Sequence, residues 1–353
     1  MDLIKAIANS VKLPRASEFE TAELISPVKT GLSFSGNQFA SGLQQASSFI
    51  GTSPLSANVL EVQSQNKPIF QLNQLPVSLD PDAYKDARSG SNPNGDLKPL
   101  FAFRQLVDPV PKFDQNYFAS PYSTEMLYAN FLNGASILRN DPFVSSVIAN
   151  ARKQFEEEFF QDMDGTSGDW RPVYASPEDW ATADISRFSE VSVDLNNSSE
   201  DGLFGTIQGK ENLKWNLGGQ MVSTLNPKTE IKSLDMKYLF VEFRRPWFNL
   251  LFFKMNQWYL SGQQAGFCSS GSSKVNDGAL PLIPTGMLIA RDVKLNANWH
   301  QDDKTIMDKS LANSATAYLG PFLMSGPASN KSSIQIIAWV SEVIPLSPKV
   351  DAP

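Results

Sequence analysis

The most regular hydrophobic spacing in the chain lies just after Asp141. Asp141 reads as an N-cap ahead of Pro142, and Val144, Val147, Ile148, Ala151, Phe155 and Phe159 then fall on one face at helical intervals. The segment Thr124 to Leu138, capped by Ser123 or Thr124, supplies a partner, and Arg139 and Asn140 supply the turn, so the pattern predicts an antiparallel helical hairpin over about 124–160. Glu156, Glu157 and Glu158 point mostly away from that apolar face, which makes the acidic run a solvated surface. Leu3, Ile4, Ile7 and Val11 trace a shorter helix that Pro14 ends. Such a helix docks on its own domain or on a neighbouring subunit; its only basic residues, Lys5 and Lys12, make a poor membrane-surface face.

Beyond residue 185 the period changes to two. Val191, Val193 and Leu195 alternate with polar residues, as do Leu213, Trp215 and Leu217, the signature of half-buried strands. Leu234 to Phe243 is apolar on both faces around Tyr238 to Val241, as a central strand requires. Met287 to Leu295 and Ile334 to Ile344 are similar, and Pro246 and Pro345 close two of these strands. With no helix-length crossovers evident between them, the strands imply an antiparallel β-sandwich or jelly-roll-like half.

From about 15 to 122 the chain is rich in Ser, Asn, Gln and Pro. Ala22 to Phe34 reads as a strand, Gln38 to Ile50 and Leu55 to Gln65 as short helices, and Ser89 to Leu97 as an open turn-rich loop. Phe70, Leu72, Leu75, Leu100, Phe101, Phe103, Leu106, Phe113 and Phe118 are too many to leave in water, so this region is expected to be irregular but packed. The fold class expected is therefore α+β. A loop-rich, partly helical region (1–185) precedes the sandwich (186–353), and the two are free to pack as one unit.

Charge sharpens that division. Residues 1–185 hold 14 Lys/Arg against 22 Asp/Glu, whereas 186–353 hold 16 against 15, so the net charge of −7 resides in the first region. Neither region has the clustered basic footprint that phosphate-backbone binding needs, and no nucleic-acid partner is expected. One Cys excludes an internal disulfide, and one His excludes any relay or metal site needing two imidazoles. Met1 to Lys12 lacks a secretory h-region, and Met236 to Leu260 carries Glu242, Arg244, Arg245 and Lys254 and cannot span a bilayer as a helix. Synthesis in the cytoplasm, followed by incorporation into a particle or non-classical export, is the expected route. Without a secretory signal, the sequons at Asn196, Asn197 and Asn330 read as polar turns.

Candidate chemistry is sparse. Gly205 to Lys210 lacks the spacing and the hydroxyl of a phosphate loop and reads better as a hairpin turn. Cys268 and His300 would need proximity in the fold to act as nucleophile and base; otherwise they are a small buried thiol and a surface imidazole. Glu242 and Glu342, both on predicted strands, would serve a glycosidase, but Arg244, two residues along the same strand face, offers Glu242 a simpler partner. Asp162, Asp164 and Asp169 surround Gly165 as the opening of a calcium loop does, yet the terminal bidentate Glu is absent, which favours a helix-ending turn. No other cofactor is implied.

The most unusual run is Arg244, Arg245, Pro246, Trp247, Phe248, Leu250 to Phe253, Trp258 and Tyr259. A segment this apolar is buried in the core, against a partner, or in an interface. Core burial is the simplest reading, with the arginines capping carbonyls or carboxylates at the strand end. Partner burial would make Arg244, Arg245, Trp247, Phe248, Trp258 and Tyr259 interaction residues, since Trp, Phe and Arg anchor interfaces. The functional expectation is a non-enzymatic structural or interaction protein, a self-assembling homo-oligomeric subunit of a larger particle. The alternative is a toxin-like or effector protein that engages glycan or membrane through its aromatic β region, and an enzyme of unfamiliar type comes third.

Overall fold

The computed structural model describes residues 3–11, 68–73, 75–85, 97–112, 122–157, 171–195, 205–207, 213–326 and 334–353. The strands in chain order are β1 (Ile69–Leu72), β2 (Ser78–Leu79), β3 (Ala135–Ile137), β4 (Tyr174–Ser176), β5 (Ser189–Asp194), β6 (Gly205–Ile207), β7 (Lys214–Leu217), β8 (Gln220–Thr224), β9 (Glu230–Arg244), β10 (Trp258–Leu260), β11 (Leu282–Asn298), β12 (Ala317–Leu319), β13 (Phe322–Ser325) and β14 (Ile334–Val343). The helices are α1 (Leu3–Ser10), α2 (Leu97–Val107), α3 (Thr124–Gly134), α4 (Pro142–Glu157), α5 (Leu250–Lys254) and α6 (Gln301–Ala312).

Strand β14 is buried along nearly its whole length, and its place in the large sheet explains why. The order is β4-β9-β11-β14-β1-β6, with β5 also on β9 and β2 also on β14, so β14 has a neighbour on each edge. Such a strand reads as a continuous apolar run, as Ile336 to Val340 does, rather than as an alternation. All pairings in this sheet are antiparallel except β1 with β6, which run parallel. The parallel pair departs from the all-antiparallel expectation. A second sheet, β13-β12-β7-β8, and a two-stranded ribbon of β10 with β3 complete an α+β architecture whose sandwich-like sheets are concentrated in the C-terminal half.

Helices α2 to α5 supply much of the core. Phe103 and Val107 of α2, Leu127 and Phe131 of α3, Val144 and Ile148 of α4, and Phe252 and Phe253 of α5 join Val241, Phe243, Met287, Ile289 and Trp339 of the sheet in one buried cluster. At about 1.5–3 kcal/mol for each fully buried side chain of this size, that cluster is the main source of stability. Helix α1 buries Leu3, Ile4 and Ile7 and lies against β1, β5 and β6, which settles its docking on its own fold.

The hairpin caps form as the sequence implies. The Asp141 carboxylate accepts from the amides of Phe143 (2.9 Å) and Val144 (3.3 Å), and Ser123 accepts from the amide of Met126 (3.1 Å). Three elements differ from expectation. The first hairpin helix stops at Gly134 rather than Leu138, because Ala135–Ile137 pairs with Trp258–Leu260; a Cβ on Gly134 would already lie 3.2 Å from Leu260. Helix α2 forms in a segment read as irregular, where Phe103, Leu106 and Val107 supply an apolar face. Helix α6 interrupts the strand-rich half; there His300 Nδ1 accepts from the Asp302 amide at 3.3 Å, an N-cap role that capping rules based on Ser, Thr, Asp and Asn do not anticipate.

Strands β1, β2 and β4 from the first 185 residues pair with β14 and β9 from the remainder, so the large sheet crosses that sequence boundary. Residues 1–11 and 68–353 form one compact unit. The strand and helices read at 22–34, 38–50 and 55–65 lie outside the described residues, as do Phe113 and Phe118. Among the described residues no helix is long and apolar enough to cross a membrane.

Candidate functional site

The aromatic segment after β9 folds around one tyrosine. Tyr128 of α3 has no exposed surface, and its ring lies 4.7 Å from Phe248, 5.8 Å from Phe253, 6.0 Å from Trp247 and 6.1 Å from Phe252, centroid to centroid. Its hydroxyl accepts from the Asn249 amide at 3.1 Å, and burial holds the phenol well above its ordinary pKa. Trp247 donates its indole N–H to the Pro172 carbonyl at 2.6 Å, so the ring is buried with its polar atom satisfied. Trp247, Phe252, Phe253 and Trp258 are fully buried, whereas Phe248 and Tyr259 are half-buried. The segment is therefore core in this fold, and the two tryptophans present no face to glycan or lipid.

The two arginines at the start of the segment have separate employments. Arg244 pairs with Glu242 at 3.2 Å on the same strand. Arg245 turns inward and donates to the carbonyls of Pro284 (2.5 Å) and Val107 (2.7 Å), tying β9 to β11 and to the end of α2. Next to it lies an ionic cluster that the sequence did not single out. Arg104 of α2 pairs with Glu125 of α3 and lies 3.8 Å from Asp108, while the Arg171 guanidinium donates to the Phe155 carbonyl at 2.5 Å. Burial pushes the Asp108 carboxyl up, against the pull of Arg245 and Arg104. Burial and the neighbouring Asp108 likewise raise Glu125, opposed by Arg104 and Arg171.

Raised carboxylates in a cluster are a recognised mark of functional sites and also of structural ion networks. Two features here fit a network. Arg245 and Arg171 spend their guanidinium donors on backbone carbonyls, and Asp108 and Thr124 join α2 to α3 through the Asp108 carbonyl, which accepts from the Thr124 amide and hydroxyl at 2.9 Å each. The cluster clasps helix ends together.

The remaining candidates separate in space. Cys268 has no exposed surface, burial pushes its thiol well up, and its backbone pairs with Leu280 and Ser347. His300 lies beyond the far end of β11, whose 17 residues span roughly 50 Å, so the two do not form a nucleophile and base. Glu242 and Glu342 flank β11 opposite Gly286 and Ile283 respectively, and Glu242 is held by Arg244. Of Gly205 to Lys210, read as a hairpin turn, Gly205–Ile207 is a strand paired with β1, and residues 208–210 lie outside the described residues. The calcium reading at Asp162, Asp164 and Asp169 falls outside the described residues, and among the described residues no three His, Cys, Asp or Glu side chains converge on a metal position.

The second sheet holds the feature that composition could not reveal. Its outer strand β8 is exposed at all five residues, Gln220 to Thr224, with Met221 at 65% and Val222 at 48%. The strand carries no charge and no proline. Gly218 (φ 60°) and Gly219 (φ 86°) form the two-residue turn that joins it to β7, a left-handed pair that side chains disfavour. Asp303 of α6 fixes both roots of this hairpin: its carboxylate accepts from the Trp215 indole at 2.8 Å, from the Asn226 amide at 3.3 Å and from the Thr229 hydroxyl.

No family model, no curated protein and no solved structure matches the chain. Of the residues that matter, Arg104, Asp108, Glu125 and Arg171 carried no sequence signal beyond their charge. Met221 and Val222 carried one, the apolar, uncharged run after a Gly-Gly turn.

Proposed function

We propose that the chain is a non-enzymatic structural or interaction subunit that joins a larger assembly through protein–protein contacts. The observation that supports this most directly is the open edge of β8. Sheet edges in soluble proteins are guarded by charge, proline, bulges or a covering element, because their unpaired amides and carbonyls accept another strand. β8 carries no charge and no proline, no element among the described residues covers it, and it displays two apolar side chains beside those groups; a bulge interrupts its pairing with β7. The clasp-like use of the half-buried arginines and the burial of the aromatic run agree with a scaffold.

Light scattering over a concentration series, paired with amide exchange at Gln220 to Thr224, tests the reading. Mass is expected to grow with concentration while exchange at β8 slows, and Met221→Lys is expected to abolish both. A chain that stays monomeric throughout, with β8 amides exchanging freely, refutes it.

A further inference from the structure

Backbone direction along β8 follows from its neighbours. Gly218 donates to Thr316 and Gly320 donates to the Lys214 carbonyl, so positions 214, 216 and 218 of β7 face β12. Positions 213, 215 and 217 therefore face β8, and Leu225 donates to the Leu213 carbonyl at 2.7 Å accordingly. On β8, Gln220 pairs with Leu217, Met221 with Asn216 and Ser223 with Trp215, leaving Val222 as an extra, bulged residue. The backbone groups that point to the free edge are consequently those of Met221 and Thr224, three residues apart, where a regular strand would present them two apart.

That spacing selects the occupant. A regular strand laid on this edge would match one of the two positions and miss the other. A second copy of β8 running antiparallel carries the same three-residue spacing and matches both. We propose that β8 pairs with β8 of a second copy of this chain about a two-fold axis, Met221 opposite Thr224 and Val222 opposite Ser223, joining two four-stranded sheets into one. Because Gln220–Thr224 is uncharged, the two-fold brings no like charges together, even though each chain carries a net charge of −7. Two five-residue strands bury little area, so the contact is weak and concentration-dependent by itself, as suits a subunit held by repeated contacts. The inference rests on β8 being an assembly edge.

Disulfide trapping tests the register. Met221→Cys and Thr224→Cys replace exposed side chains, and far-UV circular dichroism checks that each variant folds. Directly opposed residues of such a pair lie about 5.5 Å apart at Cα, within disulfide range. In a solution of either variant alone the introduced cysteines lie three residues out of register, roughly 11 Å apart, beyond that range. Under mild oxidation the equimolar mixture is expected to cross-link at least tenfold more than either variant alone, and wild type, whose Cys268 is buried, not at all. Equal cross-linking in all three solutions overturns the register. No cross-linking, in protein whose mass still grows and whose β8 amides are protected, overturns pairing with a second copy and leaves the assembly edge standing. With neither growth nor protection, both fall.

Discussion

The Trp215 indole donates to the Asp303 carboxylate at 2.8 Å in a site where Trp215 is fully buried and Asp303 is 1% exposed. Asp303 also lies in the first turn of α6, where the helix dipole favours a negative charge. It accepts from Asn226 and Thr229 as well, and the Thr229 hydroxyl in turn accepts from the His300 amide at 2.8 Å. One carboxylate thus locks a helix, β7 and the chain leaving β8.

Asp303→Ala leaves an indole, an amide and a hydroxyl without their acceptor, at about 1–3 kcal/mol for each group stranded in the interior. A loss of about 3 kcal/mol or more in urea unfolding is expected, with faster amide exchange across β7 and β8. Asp303→Asn keeps an acceptor oxygen and should lose less. Less than 1 kcal/mol for the alanine variant would show that the hairpin is held some other way.

The clasp at Asp108 and Glu125 makes a statement about pH. Both carboxyls titrate above their ordinary values of 3.8 and 4.5 in the folded chain, chiefly because burial disfavours their charge. Between the ordinary and the raised value the folded state holds more protons than the unfolded one. The stability these groups contribute therefore increases as pH falls through that window and is lost as pH rises through the raised values. Urea midpoints of wild type and Asp108→Asn at pH 7 and pH 4, close to the ordinary Asp value, check this: the difference, wild type minus variant, should be larger at pH 4. A difference that shrinks on acidification would reverse the assigned direction.

Legibility in the sequence tracked how local each cause was. Asp141 with Pro142, and Ser123, are caps whose partners lie two or three residues away, so the hairpin helices could be placed from spacing alone. The end of the first helix could not, since Gly134 stops where β10, more than a hundred residues later, pairs with Ala135–Ile137. Helix α6 begins at His300, a residue type that gives no start signal by itself, and its anchor Asp303 meets Trp215 across 88 positions. The aromatic run was readable as apolar, but only Tyr128, supplied by a different element, decides that it turns inward. The bulge at Val222 is likewise invisible in QMVST, because it depends on which residues of β7 lie opposite.

Cys268 provides a probe of the core without mutagenesis. Its thiol is buried, with its pKa raised by desolvation, and it lies between the backbone of Leu280 and Ser347. A Cβ on Gly278 would lie 2.4 Å from the Cys268 carbonyl, so no slack surrounds the residue. Thiolate is the reactive form, so both access and ionisation oppose modification. At pH 8 a disulfide reagent should react at least a hundredfold more slowly with native protein than with urea-unfolded protein, and the native rate should follow the unfolding equilibrium. Fast native labelling would place the thiol at an accessible surface.

Trp247 separates a core role for the aromatic segment from a surface one. It is fully buried, packs against Tyr128 and Phe155 with ring centroids 6.0 and 5.9 Å away, and donates to Pro172. Trp247→Ala removes the transfer free energy of the indole, opens a cavity beneath α3 and α4, and strands the Pro172 carbonyl, a combined cost of about 3–5 kcal/mol. Tyr259→Ala, at a half-buried position in the same segment, should cost less. Trp247→Ala is therefore expected to lower the urea midpoint substantially more than Tyr259→Ala. If Trp247→Ala instead left the midpoint unchanged and altered retention on liposomes or glycans, the ring would have to be a contact surface, and the inward packing around Tyr128 would be wrong.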